Sequence, residues 1–283
     1  MSPRANSWTS ARRAGTVGLL YVPLLVLALY AFWPLLILVF NSLKTTPEIF
    51  SNPFLPAAPP QWSNYLEAFR IGRFGDTLLV SLLLVAVVVP AVLIISFPAA
   101  YILAREQSTA ADAMIVFLLV MSTFPPQLYI IPLFVFLSQN DLLNNIWVLS
   151  LVYVAKFSPF AVFLLRAFLL RVPKDLDEAA RLDGASELRM LVTILAPVCK
   201  PVLMTAALIT GLNVWNEFIL AVTLIQEPSL KPVSTSLYAF QSQYATDWPL
   251  TNAGAVISAL LPIGLFLLLQ RRFIEGLTSG AVK

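Results

Sequence analysis

The chain has 283 residues, of which 59% are hydrophobic and only 12% are charged, a composition that excludes an ordinary soluble domain. Its net charge of +3 is too small to indicate nucleic-acid binding. It contains no histidine and one cysteine, Cys199, which excludes a disulfide framework and a thiol metal cluster and removes the commonest general base.

Six apolar runs, each long enough to cross a bilayer, predict an all-α membrane protein. The predicted spans are approximately 17–40, 77–104, 113–137, 146–166, 198–224 and 250–269. Pro23 and Pro34 predict kinks in the first span. Two adjacent prolines, Pro125 and Pro126, predict a disruption of the helix in the third.

Polar segments flank this membrane domain, 17–270, at both of its ends. Residues 1–16 are polar and basic, and the run behind them has no nearby small-residue cleavage site, so we interpret it as a retained span. Residues 271–283 form a short tail. An even number of spans predicts that both ends lie on the same side of the membrane.

Two long polar loops, 41–76 and 226–248, are predicted to lie on the opposite side from the chain ends. The aromatic residues of the first loop predict an ordered segment with a short helix near 62–69. A loop of such length is usually functional or disordered.

The distribution of positive charge predicts the orientation. Thirteen of the eighteen Lys and Arg residues lie on the side of the N-terminus. The remaining five are Lys44, Arg70, Arg73, Lys156 and Lys231. Because cytoplasmic loops carry the excess of Lys and Arg, both termini and the stretch 172–197 are predicted to be cytoplasmic.

The charged stretch 172–197 lies between two apolar runs and is the most informative part of the sequence. Pro173 and the acidic residues behind it suit a helix N-terminus, and Gly184 can take the left-handed conformation that ends a helix. A second amphipathic segment, 186–196, leads to Pro197. The pattern predicts two short helices at a membrane surface, and the alternative is an ordinary surface helix-turn-helix.

This stretch resembles the EAA loop of ATP-binding-cassette (ABC) importer permeases, which reads E-A-A, three residues, G, nine residues and I-x-L-P. The corresponding residues here are Glu178-Ala179-Ala180, Gly184 and Ile194-Leu195-Ala196-Pro197. Ala196 stands where the family usually has Leu, so the second half of the motif departs at one position.

The resemblance extends over most of the chain. Segment 159–166 is similar to the approach to the EAA loop in carbohydrate importer permeases. Segment 213–218 is similar to the W-N-E-F segment of the same group. The ending 276–283 resembles the G-L-T-x-G-A-V-K ending of MalG-type sugar permeases. The chain is therefore identified as a member of the MalG-like branch of binding-protein-dependent transport permeases.

Membership implies a type I importer permease fold with a cytoplasmic EAA coupling helix, in the (inner) membrane of a bacterium or archaeon. It implies a MalF-like second permease, two copies of an ABC ATPase and an extracytoplasmic solute-binding protein as partners. The chain has no Walker-type loop, so ATP and Mg are expected on the ATPase, with no cofactor on this chain. Loop 226–248 corresponds in position to a loop that reaches into the binding protein, and the alternative is a passive connector.

The resemblance assigns residues to two contacts with the ATPase. The coupling residues are Glu178, Ala179, Ala180, Asp183, Gly184 and Pro197. In the family the EAA helix docks in a cleft of the ATPase, which makes Glu178 the charged contact and the two alanines the close-packing face. The residues of the tail that would insert between the ATPase subunits are Gly276, Gly280 and Lys283. The alternative for the tail is a frayed terminus.

Charged groups at membrane depth are costly and tend to be functional. Lys156 lies ten residues after Ile146, which places it about 15 Å into the fourth span, and Glu217 lies nearer the outer end of the fifth. We predict that Lys156 reaches Glu217, and that Asn213, Asn216 and Glu217 face the pathway or the partner permease. The alternative is a structural tether between helices.

Three aromatic residues, Tyr129, Tyr153 and Trp215, are candidates for lining a sugar route, because sugars stack on aromatic rings. The alternative for each ring is packing against lipid or against other helices. In maltose-type systems the bound sugar contacts mainly the partner permease, so the resemblance implies that this chain holds little of the binding site.

The sequence thus predicts a permease subunit, without enzymatic activity, of an ATP-driven importer for a mono- or oligosaccharide. A secondary transporter or channel would explain the spans but not the EAA-like loop. A membrane enzyme would need clustered carboxylates or metal ligands, and the acidic group at 175–183 has no histidine or cysteine beside it. A related importer of glycerol phosphate or another polyol stays open.

Overall fold

The computed structural model describes residues 7–241 and 246–278, with the side chains of 21–241 and 246–268. These residues are almost entirely helical, and the one β contact among them is an isolated bridge between Gln241 and Thr246. The α-helices are α1 (Ser7–Ser42), α2 (Thr46–Ser51), α3 (Ser63–Ile71), α4 (Phe74–Arg105), α5 (Thr109–Thr123), α6 (Pro126–Gln139), α7 (Ile146–Leu169), α8 (Asp175–Leu182), α9 (Glu187–Met190), α10 (Ala196–Val198), α11 (Lys200–Asn216), α12 (Ile219–Leu224) and α13 (Trp248–Thr278). A π-helical segment, Leu191–Leu195, joins α9 to α10, and 3₁₀ turns cover Pro228–Leu230 and Val233–Phe240.

Four helical segments are long and apolar enough to cross a membrane by themselves. They are Tyr21–Ser42, Phe74–Arg105, Ile146–Leu169 and Trp248–Leu268. Two further candidates are bent pairs: α5 with α6, at 88°, and Glu187–Val198 with α11, at 85°. The described residues therefore contain four to six candidate spans, and the all-helical class predicted from the sequence agrees with the structure.

The third predicted span, 113–137, is a bent pair of helices. Phe124 and Pro125 have extended backbone conformations between α5 and α6. Pro126 is at the start of α6, where a proline costs no hydrogen bond because the first N–H groups of a helix have no partner within it. The disruption predicted from the two prolines is present, and the pair turns by 88° there.

The fifth predicted span, 198–224, is not one continuous helix in the structure. Cys199 leaves the helical conformation ahead of α11, which ends at Asn216. Glu217 is extended, and a new helix, α12, begins at Ile219. There is no proline or glycine at this second break. Its cause is instead the set of hydrogen bonds that the Glu217 carboxylate accepts.

Two predicted ends of the membrane domain differ from the helix ends. α1 already begins at Ser7, within the segment 1–16, and continues through Pro23 and Pro34. α13 continues to Thr278, so that Gly276 of the predicted tail lies in its helical backbone. The other tail candidates, Gly280 and Lys283, lie outside the described residues.

Contacts divide the chain into two compact units, Met1–Phe69 with Phe240–Ile257 and Arg70–Ala239 with Ser258–Lys283. In the first unit, the loop after α1 is ordered by the buried Lys44, whose Nζ donates to Asn41 Oδ1 (3.0 Å) and to the Asn52 carbonyl (2.7 Å). Burial lowers the pKa of Lys44, and the nearby Glu48 carboxylate opposes that shift. The short helix predicted near 62–69 is α3.

The second unit is built on α4, α7 and α11. One core cluster packs the C-terminal halves of α4 and α7 against α8, with Tyr101, Leu165 and Ala180 among its buried residues. A second core cluster joins the N-terminal halves of the same two helices to α12. α4 and α7 therefore run parallel. α11 contributes Val202 to the first cluster and Val214 to the second, so it runs antiparallel to both.

Asn144 joins two loops at the end of this unit that holds the second core cluster. It has a positive φ of 55°, and its N–H donates to the Leu224 carbonyl at 3.0 Å. Its Oδ1 accepts from the N–H groups of Gln226 (2.6 Å) and Glu227 (2.9 Å). The loop after α6 is thereby attached to the loop after α12.

We expect Asn144→Ala to destabilise the protein by about 1–2 kcal/mol, because it removes two hydrogen bonds and places alanine at positive φ. Asn144→Asp keeps the acceptor oxygen and tolerates this backbone, so it is the matched control. The measurement is the temperature at which half of the detergent-purified protein aggregates. Equal temperatures for Asn144→Ala and the wild type would contradict the expected role.

Candidate functional site

α8 is short and strongly charged, and its charges follow the helix dipole. Asp175, Asp177 and Glu178 lie in its first turn, and Arg181 lies in its last. The helix begins at Asp175, two residues after Pro173. Its sequence therefore stabilises a helix of eight residues that would be marginal in isolation.

Gly184 ends α8 in a Schellman motif. Its φ is +76°, its N–H donates to the Arg181 carbonyl, and the N–H of Ala185 donates to the Ala180 carbonyl, both at 3.0 Å. Ser186 then caps α9 by accepting from the N–H of Arg189. The predicted helix, turn and second helix are all present in the structure.

The connection from α9 to α11 is irregular. Leu191–Leu195 is π-helical, Pro197 lies exposed in the three-residue α10, and the chain bends by 85° around Cys199. π-helical turns are rare and occur frequently at functional sites. Ala196, the position at which the EAA-like motif departs from the family pattern, directly follows this π-helical segment.

The predicted coupling residues lie on two faces of α8. Glu178, Ala179 and Asp183 are exposed, whereas Ala180 is buried in the first core cluster. Adjacent residues of a helix point about 100° apart, so both alanines cannot lie on one outer face. The open face instead contains Leu182, which is 89% exposed. The expected close-packing face contained both alanines. In the structure it includes Ala179 but not Ala180.

A buried ion pair holds α8 against the end of α4. Arg105 Nε lies 2.6 Å from Asp177 Oδ2, with the two side chains 12% and 3% exposed. The Tyr101 hydroxyl donates to the same carboxylate and accepts from Arg181 Nη2. Sequence reasoning missed this contact. The available signal was an arginine at the very end of an apolar run, followed by a short loop.

Glu217 occupies the break between α11 and α12. Its carboxylate accepts from Lys156 Nζ (2.9 Å) and from the Tyr153 hydroxyl (3.0 Å). It also accepts from the N–H groups of Leu220 and Ala221, which lie in the first turn of α12. The predicted contact between Lys156 and Glu217 is therefore present. The carboxylate is occupied by groups of its own chain, an arrangement that corresponds to the structural tether.

The other pathway candidates divide by exposure. Asn213 and Asn216 are exposed, although Asn216 Nδ2 donates to the Leu212 carbonyl. Tyr129 is partly buried against the second core cluster. Tyr153 is fully buried, so its ring is not accessible to a solute in this structure, contrary to the expectation for a sugar route.

Trp215 lines an apolar cavity between α4, α11 and α13. The ring is buried, and its Nε1 donates to the Ser258 carbonyl at 3.2 Å. The other lining residues are Leu82, Val85, Val89, Met204, Ala207, Leu208, Gly211, Leu212, Leu261, Pro262 and Leu265. A lining without hydroxyl, amide or charged side chains does not fit a sugar, which needs hydrogen-bond partners.

The family model described as binding-protein-dependent transport system inner membrane component matches residues 65–278. The chain is 32% identical over 253 residues to the probable ABC transporter permease protein YurM of Bacillus subtilis strain 168, which covers 89% of this chain and 83% of that protein. It is 30% identical over 275 residues to the melibiose/raffinose/stachyose import permease protein MelC of the same strain, at coverages of 96% and 99%. The fold is similar to a chain in the crystal structure of a bacterial ABC transporter involved in the import of alginate, with a TM-score of 0.73, 21% identity and coverages of 96% and 99%.

Proposed function

The chain belongs to the family of binding-protein-dependent transport system inner membrane components, and from this premise we propose that it is a permease subunit of an ATP-driven sugar importer. Permeases of this family are multi-pass membrane proteins rather than enzymes, and they work with an ATPase and a binding protein. The proposed cargo is a mono- or oligosaccharide, which the melibiose/raffinose/stachyose name of the relative MelC supports.

The observation that carries the proposal is the α8–α9 pair. A charged helix, a Schellman turn at Gly184 and a second helix lie between two apolar helices, α7 and α11. The face of α8 that the chain leaves open combines the carboxylate of Glu178 with Ala179 and Leu182. Such a mixed face suits docking in a cleft of an ATPase.

The proposed assembly contains a MalF-like second permease, two ATPase subunits and an extracytoplasmic solute-binding protein. ATP and Mg are held by the ATPase subunits. In the proposed six-span topology, α8 and both termini lie in the cytoplasm of a bacterium or archaeon, and the tail with Gly276, Gly280 and Lys283 contacts the ATPase. The antiparallel direction of α11 relative to α4 and α7 supports this topology, because spans two and four then cross in one direction and span five returns.

Alternating access follows in this proposal from movement of α8 when the ATPase subunits close. The bent pair α5–α6 and the break between α11 and α12 are the interruptions at which we expect the helices to reorient. Asn213 and Asn216 are the residues of α11 proposed to face the sugar pathway, since both are exposed on this mostly apolar helix.

The test is uptake by proteoliposomes that contain the whole complex and its binding protein, with labelled melibiose, raffinose and maltose as probes. We expect uptake of at least one sugar to require ATP on the side of the vesicle membrane that the ATPase faces. Vesicles without ATP but with a proton or sodium gradient are the control. Uptake that follows the ion gradient and ignores ATP would overturn the proposal.

A further inference from the structure

Arg105 is a junction between three segments of the chain. Its Nε and Nη2 donate to the two carboxylate oxygens of Asp177 in α8, at 2.6 and 3.4 Å. Its Nη1 donates to the carbonyls of Leu169 and Val172, both at 3.1 Å. Arg105 itself is the last residue of α4, so one guanidinium connects the end of α4 to the end of α7 and to α8.

The planar guanidinium suits this junction because it can donate in several directions at once. The last carbonyls of a helix have no partner within it, and Arg105 donates to that of Leu169, the last residue of α7, and to that of Val172 in the segment that follows. Asp177 is buried, unlike the exposed Asp175, Glu178 and Asp183 of the same segment. The acidic cluster of α8 thus contains one carboxylate that faces inward and three that face outward.

The covalent connection from α8 to α11 is structurally irregular. It passes through the turn at Gly184, the π-helical segment Leu191–Leu195 and the 85° bend. Kinks and π-helical turns interrupt the regular hydrogen-bond ladder that keeps a helix stiff. Asp177 and Arg105 therefore give α8 a direct contact with α4 and α7, whereas its covalent route to α11 runs through this irregular connection.

We propose that Arg105 is a positioning residue that fixes α8 to α4 and α7, so that movement of α8 reaches these two helices before it reaches α11. This inference rests on the proposed function, in which α8 docks on an ATPase. The proposed function has one route for the movement, along the chain into span five. The inference adds a second route, from α8 into the second and fourth predicted spans.

The first experiment measures coupling in the reconstituted complex. We expect Asp177→Asn and Arg105→Gln to lower uptake per ATP hydrolysed by about tenfold, within the range that coupling mutations produce. The sugar is whichever of melibiose, raffinose and maltose the wild-type complex imports. Asp177→Glu keeps the carboxylate and is expected to recover most of the ratio, which a misfolded protein would not do.

Glu187→Gln is the matched control. It removes a carboxylate that lies 2.9 Å from Arg181 in an ion pair next to the junction, but both side chains are more than half exposed. We expect the coupling ratio of this variant to stay within about twofold of the wild type, because exposed pairs contribute little. A ratio unchanged in Asp177→Asn, or lowered equally in Glu187→Gln, would overturn the inference.

The second experiment does not depend on transport. Cys199 is the only cysteine of the chain and is fully buried, in the same core cluster as Leu169, Val172 and Ala180. We expect N-ethylmaleimide to label Cys199 about tenfold faster in Asp177→Asn membranes, because release of α8 opens this core locally, and at the wild-type rate in Glu187→Gln. Equal labelling of Asp177→Asn and wild type would overturn the positioning role. If the wild-type complex imports no sugar but the labelling rates still differ, the proposed function fails and the positioning of α8 stands.

Discussion

Replacement of Lys156 with Met is expected to destabilise the protein by about 3 kcal/mol, the lower end of the usual cost of removing one partner of a buried ion pair, because the Lys156 side chain is 24% exposed. Lys156 Nζ lies 2.9 Å from Glu217 Oε1, and the Glu217 side chain is only 4% exposed. Without the ammonium group, the carboxylate of Glu217 loses its counter-charge while it lies away from water. This loss raises the free energy of the folded state.

Glu217→Ala is expected to cost at least as much, because the carboxylate also caps a helix. The N–H groups of Leu220 and Ala221 donate to it, and first-turn N–H groups have no acceptor within α12. The Tyr153 hydroxyl would lose its acceptor as well, in a fully buried position. Loss of the whole set is expected to unfold the start of α12 rather than only weaken its contact with α7.

The reversed pair, Lys156→Glu with Glu217→Lys, separates ion pairing from capping. It restores opposite charges, but a lysine at position 217 cannot accept hydrogen bonds from Leu220 and Ala221. We therefore expect the reversed pair to be no more stable than Glu217→Ala. Lys156→Arg keeps the cation and is the matched control, with an expected cost below about 1.5 kcal/mol.

The measurement for these variants is the temperature at which half of the detergent-purified protein aggregates, together with its abundance in the membrane. A reversed pair as stable as the wild type would contradict the capping role of Glu217. An unchanged temperature for Lys156→Met would show that the ion pair contributes nothing to stability.

The features that could be predicted from the sequence are local ones. A proline, four acidic residues and a glycine lie within twelve positions around α8, and each acts on the backbone near itself. The helix, its N-terminal charges and the turn at Gly184 therefore follow from short-range preferences. The interruption at Pro125 and Pro126 follows in the same way, because proline lacks the N–H that a helix needs.

The features that could not be predicted depend on which helices meet. Arg105 and Asp177 are 72 positions apart, and no periodicity relates them. The burial of Ala180 rather than Ala179 follows from the side on which α8 packs, which only the tertiary structure determines. The break after Asn216 has no proline or glycine to mark it, and it becomes understandable only when the four donors to Glu217 are known.

Lys156 and Glu217 are an intermediate case. Each charge interrupts an apolar run, and two opposite charges within side-chain reach of each other in a bilayer favour contact because each is costly alone. The contact could therefore be predicted. The interpretation that Glu217 faces a pathway is not supported by its burial, since the same carboxylate is used by Tyr153 and α12.

Gly184→Val is expected to leave membrane insertion intact and to reduce uptake per ATP hydrolysed by about tenfold, the upper part of the range for coupling mutations. The backbone φ of +76° is the cause, because a left-handed conformation costs a non-glycine residue about 1–2 kcal/mol and is especially unfavourable for a β-branched one. No atom lies within 4 Å of the position that a Cβ would take, so steric overlap with neighbouring groups contributes nothing.

The strain of valine can be relieved only by a change of the turn. Relief would break the hydrogen bonds from Gly184 N–H to Arg181 and from Ala185 N–H to Ala180, and would alter the angle between α8 and α9. The buried Asp177 holds α8 in place from the other side, so the change is expected to fall on α9 and on the irregular connection to α11. Insertion is unaffected because the apolar runs are unchanged.

Gly184→Asn is the matched control, because asparagine tolerates the left-handed conformation at the end of a helix. We expect it to retain at least about half of the wild-type uptake per ATP, with Gly184→Ala between the two. The assay is uptake and phosphate release by the same proteoliposomes, with the amount of inserted protein measured separately. Wild-type coupling in Gly184→Val would contradict the role of the turn. A loss of inserted protein would mean instead that position 184 matters for folding of the membrane domain, which its open surroundings argue against.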